Sequence, residues 1–140
     1  MNLAIDIGNS FTHFAVFKGR KNIYVQNCSS FGLTALTKAI KKIRKEFEII
    51  KIGISSVSPN TQKSIKLLIR KEFKVSPLII NDKSKLPIKI KIKNPHSLGP
   101  DRICNAVFGY NAVKGKSNVL IIDLGTANTY DLVLKNGDFV

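Results

Sequence analysis

The chain twice runs an apolar stretch into a turn of the form Asp-apolar-Gly-polar. The first is Asp6-Ile7-Gly8-Asn9-Ser10 and the second is Asp123-Leu124-Gly125-Thr126-Ala127. Each copy calls for a buried-type strand that delivers a carboxylate to a glycine turn. Segments of strand and helix character fill the interval between them. An α/β architecture with two related starts is therefore expected. In 140 residues that allows one domain and part of a second.

The periodicities supply the elements. Residues 2–7, 11–18 and 22–27 read as three meandering strands. Leu33, Leu36, Ile40, Ile43 and Phe47 then recur at helical spacing, with Lys38, Lys41, Lys42, Arg44 and Lys45 on the other side. Ser29 or Ser30 is the expected cap of that helix. Residues 49–55 form a buried-type strand. Ser58-Pro59 offers a cap followed by proline at the first helical position, and Ile65, Leu68, Ile69 and Phe73 stripe the helix behind it. A short strand at 77–81 and a half-exposed strand or arm at 88–92 follow. Residues 94–100 are a loop of breakers, and 101–113 a third helix. Strands at 118–124 and 128–134 lead into Asn136-Gly137, a strong hairpin signal. The order is βββαβαβα and then the first strands of a second unit, divided as 1–117 and 118–140.

Composition narrows the function classes. Hydrophobic residues make up 44% of the chain, enough for a packed core. No apolar run approaches the roughly 20 residues of a membrane span. Asp6 interrupts the first apolar stretch and no basic flank precedes it, so no signal peptide is expected. Cys28 and Cys104 fit no metal or redox spacing and are expected to be reduced thiols, pointing to the cytoplasm. His13 and His96 are too scattered for a transition-metal site. The formal charge of +14 raises the question of nucleic acid. Of 23 basic residues 19 are Lys, set on polar faces or alternating with Ile over 88–93. Base readout favours Arg, and stacking needs exposed aromatics. A solvated Lys-rich surface is expected, and specific nucleic-acid binding is not.

The acids are scarce, six Asp and three Glu, so their placement carries information. A carboxylate withdrawn from water at a strand end is costly without a partner. Mg²⁺ with phosphate oxygens is the usual client of one or two such carboxylates. Gly8 and Gly125 admit close backbone approach, while Ser10, Thr126 and Thr129 supply hydroxyls. Two such turns facing one another would clamp a nucleotide polyphosphate. Singly, an Asp before Gly is an ordinary turn residue. As a pair, each after a buried-type strand, they point to chemistry. Asp101-Arg102 opens the third helix after Gly99-Pro100, where the helix dipole favours an acid by roughly 0.3–1 kcal/mol. A general base with Arg102 holding an anionic group suits that position equally well.

Three segments together resemble the type III pantothenate kinases, in order and spacing, across the whole chain. They are Asp6 to Ser10, the stretch from Asn94-Pro95 through Leu98-Gly99-Pro100-Asp101-Arg102-Ile103, and Asp123 to Ala127. The resemblance implies a ribonuclease-H-like, actin-like ATPase fold. It implies transfer of the ATP γ-phosphoryl group to pantothenate, giving 4'-phosphopantothenate in the first step of coenzyme A biosynthesis. Asp6, Ile7, Gly8, Asn9, Ser10, Phe11, Thr12 and His13 would then line ATP together with Thr126, and Asp6 would place Mg²⁺. Asp101 would be the catalytic base, with Gly99, Pro100, Asp101 and Arg102 at pantothenate. Asp123 would bind K⁺ or NH₄⁺, and the protein would be a homodimer. Pro100 stands where the family often has Ala, Ser10 and Asn128 where Thr is common, and Ile92 at the place of a substrate-contacting Tyr. Family members are longer, so an N-terminal portion of a kinase is expected. A transcriptional activator or DNA-associated relative, or an inactive fragment, would carry the same motifs.

Overall fold

Strict alternation in the first strand sets the architecture. In the computed structural model, which describes residues 1–125 and 127–140, β1 (Asn2–Ile7) buries Leu3, Ile5 and Ile7 and exposes Asn2, Ala4 and Asp6. That is the two-residue period of a pleat with one face in a core. β2 (Phe11–Lys18) returns antiparallel with Ile5 opposite Phe14 and Asp6 opposite His13, and β3 (Lys21–Ser29) pairs with it in turn. α1 (Leu33–Glu46) lays Leu36, Ala39, Ile40 and Ile43 on the core, so the middle of the predicted stripe is buried, whereas Leu33 at its first turn is exposed and Phe47 follows the helix as its C-cap. β4 (Lys51–Ser56) then enters parallel to β1, with Asp6 opposite Ser55. α2 (Pro59–Phe73) buries Ile65 and Ile69, and β5 (Leu78–Ile79) closes the sheet parallel to β4. The strand order is β3-β2-β1-β4-β5.

Contacts group these elements into a unit spanning Met1–Ile80, and the remaining residues into a second, Asn81–Val140. In the second unit β6 (Lys89–Ile90) pairs parallel with β9 (Asp138–Phe139). β8 (Asn128–Val133) lies between β9 and β7 (Val119–Leu124), giving the order β6-β9-β8-β7. The β8–β9 hairpin turns at Asn136-Gly137, where Gly137 has φ 88°. α3 (Pro100–Ala112) packs on β7 and β8 and buries Ile103 and Ala106. The division at 117/118 expected from the repeated motif thus falls inside this unit, whose members α3 and β6 precede it.

Several local expectations change. The N-cap of α1 is Gly32 at φ 92°, neither Ser29 nor Ser30, because Ser30 Oγ donates to the Gly8 carbonyl instead. Ser58 does precede Pro59 at the α2 start, yet its Oγ meets Thr61 Oγ1 at 2.9 Å and caps no backbone amide. Two short strands, β5 and β6, occupy the interval where the βββαβαβα order has one. Each is only two residues long because Pro77 and Pro87 lie just outside them. The loop at 94–100 contains a 3₁₀ turn, Pro95–Ser97. Among the described residues no helix is long and apolar enough to cross a membrane. Cys28 and Cys104 are free thiols, and burial pushes the Cys28 pKa up.

The first core is close-packed around α1, so truncation there leaves a void. Ile40→Ala, at a fully buried position, is expected to destabilise the protein by about 2–5 kcal/mol in chemical denaturation. Leu67→Ala, on the exposed face of α2 at 60% exposure, is expected to stay within about 0.5 kcal/mol.

Candidate functional site

In the first unit the turn after β1 is stitched from three sides. The Gly8 amide donates to the Phe11 carbonyl at 2.9 Å, closing the hairpin. Ser30, at the end of β3, donates its backbone amide to the Ser10 carbonyl at 2.9 Å and its hydroxyl to the Gly8 carbonyl at 2.8 Å. Thr12 Oγ1 meets the same Ser30 hydroxyl at 2.9 Å in the core. A Cβ on Gly8 would stand 2.9 Å from the Phe11 carbonyl oxygen, so the turn admits no side chain there without moving backbone. Asn9, Ser10, Phe11 and His13 remain exposed, whereas Ile7 and Thr12 face the core. Asp6 lies on the open face of β1 between His13 and Ser55 in register, and the Ser55 hydroxyl is buried without a hydrogen-bond partner among the described residues.

The second unit gathers its polar groups around the first turns of α3. Gly99 is the N-cap and Pro100 the first helical residue, so Asp101 sits at the positive end of the helix. Its Oδ1 is buried, without a hydrogen-bond partner among the described residues, and lies 2.3 Å from where a Cβ on Gly99 would be. Glycine at 99 is therefore what lets the Asp101 carboxylate fold back over the helix start. One residue on, the Arg102 guanidinium clasps Asp131 of β8: Nε lies 3.1 Å from both carboxylate oxygens and Nη2 also bonds Oδ1. Asp131 is 2% exposed. That hydrogen bond, opposed by partial burial, holds the Arg102 pKa above its ordinary value. One helical turn beyond Asp101, Asn105 Nδ2 donates to Asp123 Oδ2 at 3.0 Å. Thr129, opposite Asp123 in register, has a buried hydroxyl without a partner among the described residues.

A family model for type III pantothenate kinase matches residues 2–140. The chain belongs to the type III pantothenate kinase family. The type III pantothenate kinase of Myxococcus xanthus is 30% identical over 148 residues, covering 100% of this chain and 57% of that protein. That of Agathobacter rectalis is 33% identical over 148 residues, covering 100% of this chain and 56% of its own length. The chain thus spans a little over half the length of these curated relatives. Among solved structures, a Ppx/GppA family member from Aquifex aeolicus has a TM-score of 0.53 at 13% identity, over 96% of this chain and 47% of its own. That likeness concerns the fold.

Of the residues the resemblance assigns, Gly99, Pro100, Asp101 and Arg102 lie at the start of α3, and Asp123 on β7 is tied to the next turn of that helix through Asn105. Thr126 lies outside the described residues. Two residues that motif reading passed over, Asn105 and Asp131, lie with the α3 and β7 residues, beside Thr129, whose hydroxyl the sequence did point to. Asp131 had a signal, since it interrupts the apolar alternation of β8 at an inward position, where an acid needs a cation. Asn105 lies four residues after Asp101, hence on the same helical face. His96, in the 3₁₀ turn, is tied by Nδ1 to Asp82 Oδ2 at 2.6 Å, which links that turn to the segment after β5.

Among the described residues no group of three or more His, Cys, Asp or Glu stands where it could hold a metal ion. The oxygen donors nonetheless fit hard cations. The unpartnered Thr129 hydroxyl opposite Asp123 suits K⁺. Asp6 with the Ser55 hydroxyl is a sparse oxygen set of the kind that accommodates Mg²⁺ only together with phosphate oxygens.

The stitched turn makes a steric prediction. Gly8→Ala is expected to destabilise the protein by about 1–3 kcal/mol, because backbone must shift to admit the methyl group. Gly53→Ala, on β4 with nothing within 4 Å of its Cβ position, is expected to be neutral or to stabilise by up to about 1 kcal/mol. Thermal denaturation of both variants checks the contrast.

Proposed function

We propose that this chain carries the catalytic carboxylates of an enzyme that phosphorylates pantothenate with ATP, giving 4'-phosphopantothenate for coenzyme A biosynthesis. The observation that carries the reading is the Asp101 carboxylate, held over Gly99 at the start of α3 with a buried oxygen that no donor among the described residues meets. It belongs to a family match over residues 2–140. The β3-β2-β1-β4-β5 order, with an antiparallel meander followed by parallel strands, supports a ribonuclease-H-like, actin-like fold.

Asp101 accepts the proton of the pantothenate hydroxyl as that oxygen attacks the γ-phosphorus of ATP, and ADP leaves. The positive end of the α3 dipole faces the Asp101 carboxylate. Asn9 and Ser10, exposed on a turn already fixed by Ser30, offer polar groups to the ATP phosphates, and Phe11 and His13 flank them. Gly99, Pro100 and Arg102 border pantothenate. Mg²⁺ at Asp6 and K⁺ or NH₄⁺ at Asp123 would neutralise phosphate charge when bound. With little covalent work for the protein, positioning and electrostatics supply the rate. A cytoplasmic homodimer goes with this reading.

ATP-dependent phosphorylation of pantothenate by the full-length protein, with Mg²⁺ and with or without K⁺, is the direct test. Asp101→Asn is expected to lower kcat by roughly 10²–10⁴ while ATP binding, followed by calorimetry, survives. An unchanged kcat would remove Asp101 from the role of base.

A further inference from the structure

Among the acids of the chain, Asp131 is the one most fully withdrawn from water, and the family motifs quoted above assign it nothing. Both of its oxygens face Arg102, which lies directly after the base. The contacts use the side edge of the guanidinium, Nε and one N–H of Nη2. A guanidinium is a rigid planar fork with five N–H donors, so engaging the side edge fixes where the end edge points. That end edge, Nη1 with the remaining N–H of Nη2, is not used by Asp131. The Arg102 side chain keeps 34% of its surface exposed, so it is anchored by one edge and partly reached by solvent.

We propose that Asp131 is a positioning residue for substrate: it orients the Arg102 guanidinium so that its end edge takes the carboxylate of pantothenate beside Asp101. This rests on the reading of the chain as a pantothenate kinase. One cation thereby serves two carboxylates, one belonging to the protein and buried, the other belonging to the substrate and exchangeable. The arrangement needs arginine, because a lysine ammonium is a point charge with no second planar edge. It also needs an acid at 131. Without one, the guanidinium keeps its charge but loses its fixed plane, and the substrate must order it on binding.

The test is a double-mutant cycle on the full-length protein, with KM measured separately for pantothenate and for ATP. Asp131→Asn is expected to raise the KM for pantothenate by about 10-fold, one strong hydrogen bond's worth, and to leave the KM for ATP within about twofold. Arg102→Lys is expected to do the same. The double variant is expected to be no worse than the poorer single one, since both changes remove one interaction. If Asp131→Asn does not fold, Asp131→Glu, which keeps the charge but displaces it by one methylene, is expected to show the same split. An unmoved KM for pantothenate, a parallel rise in both KM values, or additive losses in the double variant would overturn the proposal. A wild-type protein that does not phosphorylate pantothenate would overturn the underlying reading instead.

Discussion

The Asp131 carboxylate is almost fully buried and meets the Arg102 guanidinium there, and removing Arg102 would leave that carboxylate buried without its partner. This pair fixes the start of α3 on β8. The hydrogen bond from Asn105 to Asp123 fixes the next turn of the same helix on β7. Asp101 lies just ahead of both ties, one residue from the first and four from the second. Its position follows from contacts that Asp101 does not itself make. Ile103 and Ala106, buried on the same helix, supply the apolar half of the attachment.

The first unit depends on a different device. Its turn is held by the side chain and amide of Ser30, a residue from the far end of β3. The hydroxyl that could have capped α1 is engaged there, and the helix begins at a glycine with no side-chain cap. A local capping preference yields to a long-range hydrogen bond at a buried position, where an unmet carbonyl would cost more than a missing cap.

Much of this was legible in the sequence because period and burial agree. Leu3, Ile5 and Ile7 alternate on β1, and Leu36, Ala39, Ile40 and Ile43 follow the helical repeat on α1. Asp6 and Asp123 stand at strand ends, as their glycine turns require. What was not legible is pairwise and non-local. No sequence spacing ties Arg102 to Asp131 across 29 residues, or Ser30 to Gly8 across 22. The short β6 was ambiguous for a related reason. Lys89 and Ile90 pair with Asp138 and Phe139, a partner from the other end of the unit.

The Ser30 attachment also bears on how a ligand would be received. A loop that orders only on contact charges its lost freedom to the ligand. This turn has already surrendered that freedom during folding, through bonds made inside the protein. The shape that turn presents is thus a property of the folded state itself, and a change at residue 30, on its core side, would loosen that shape on the opposite side.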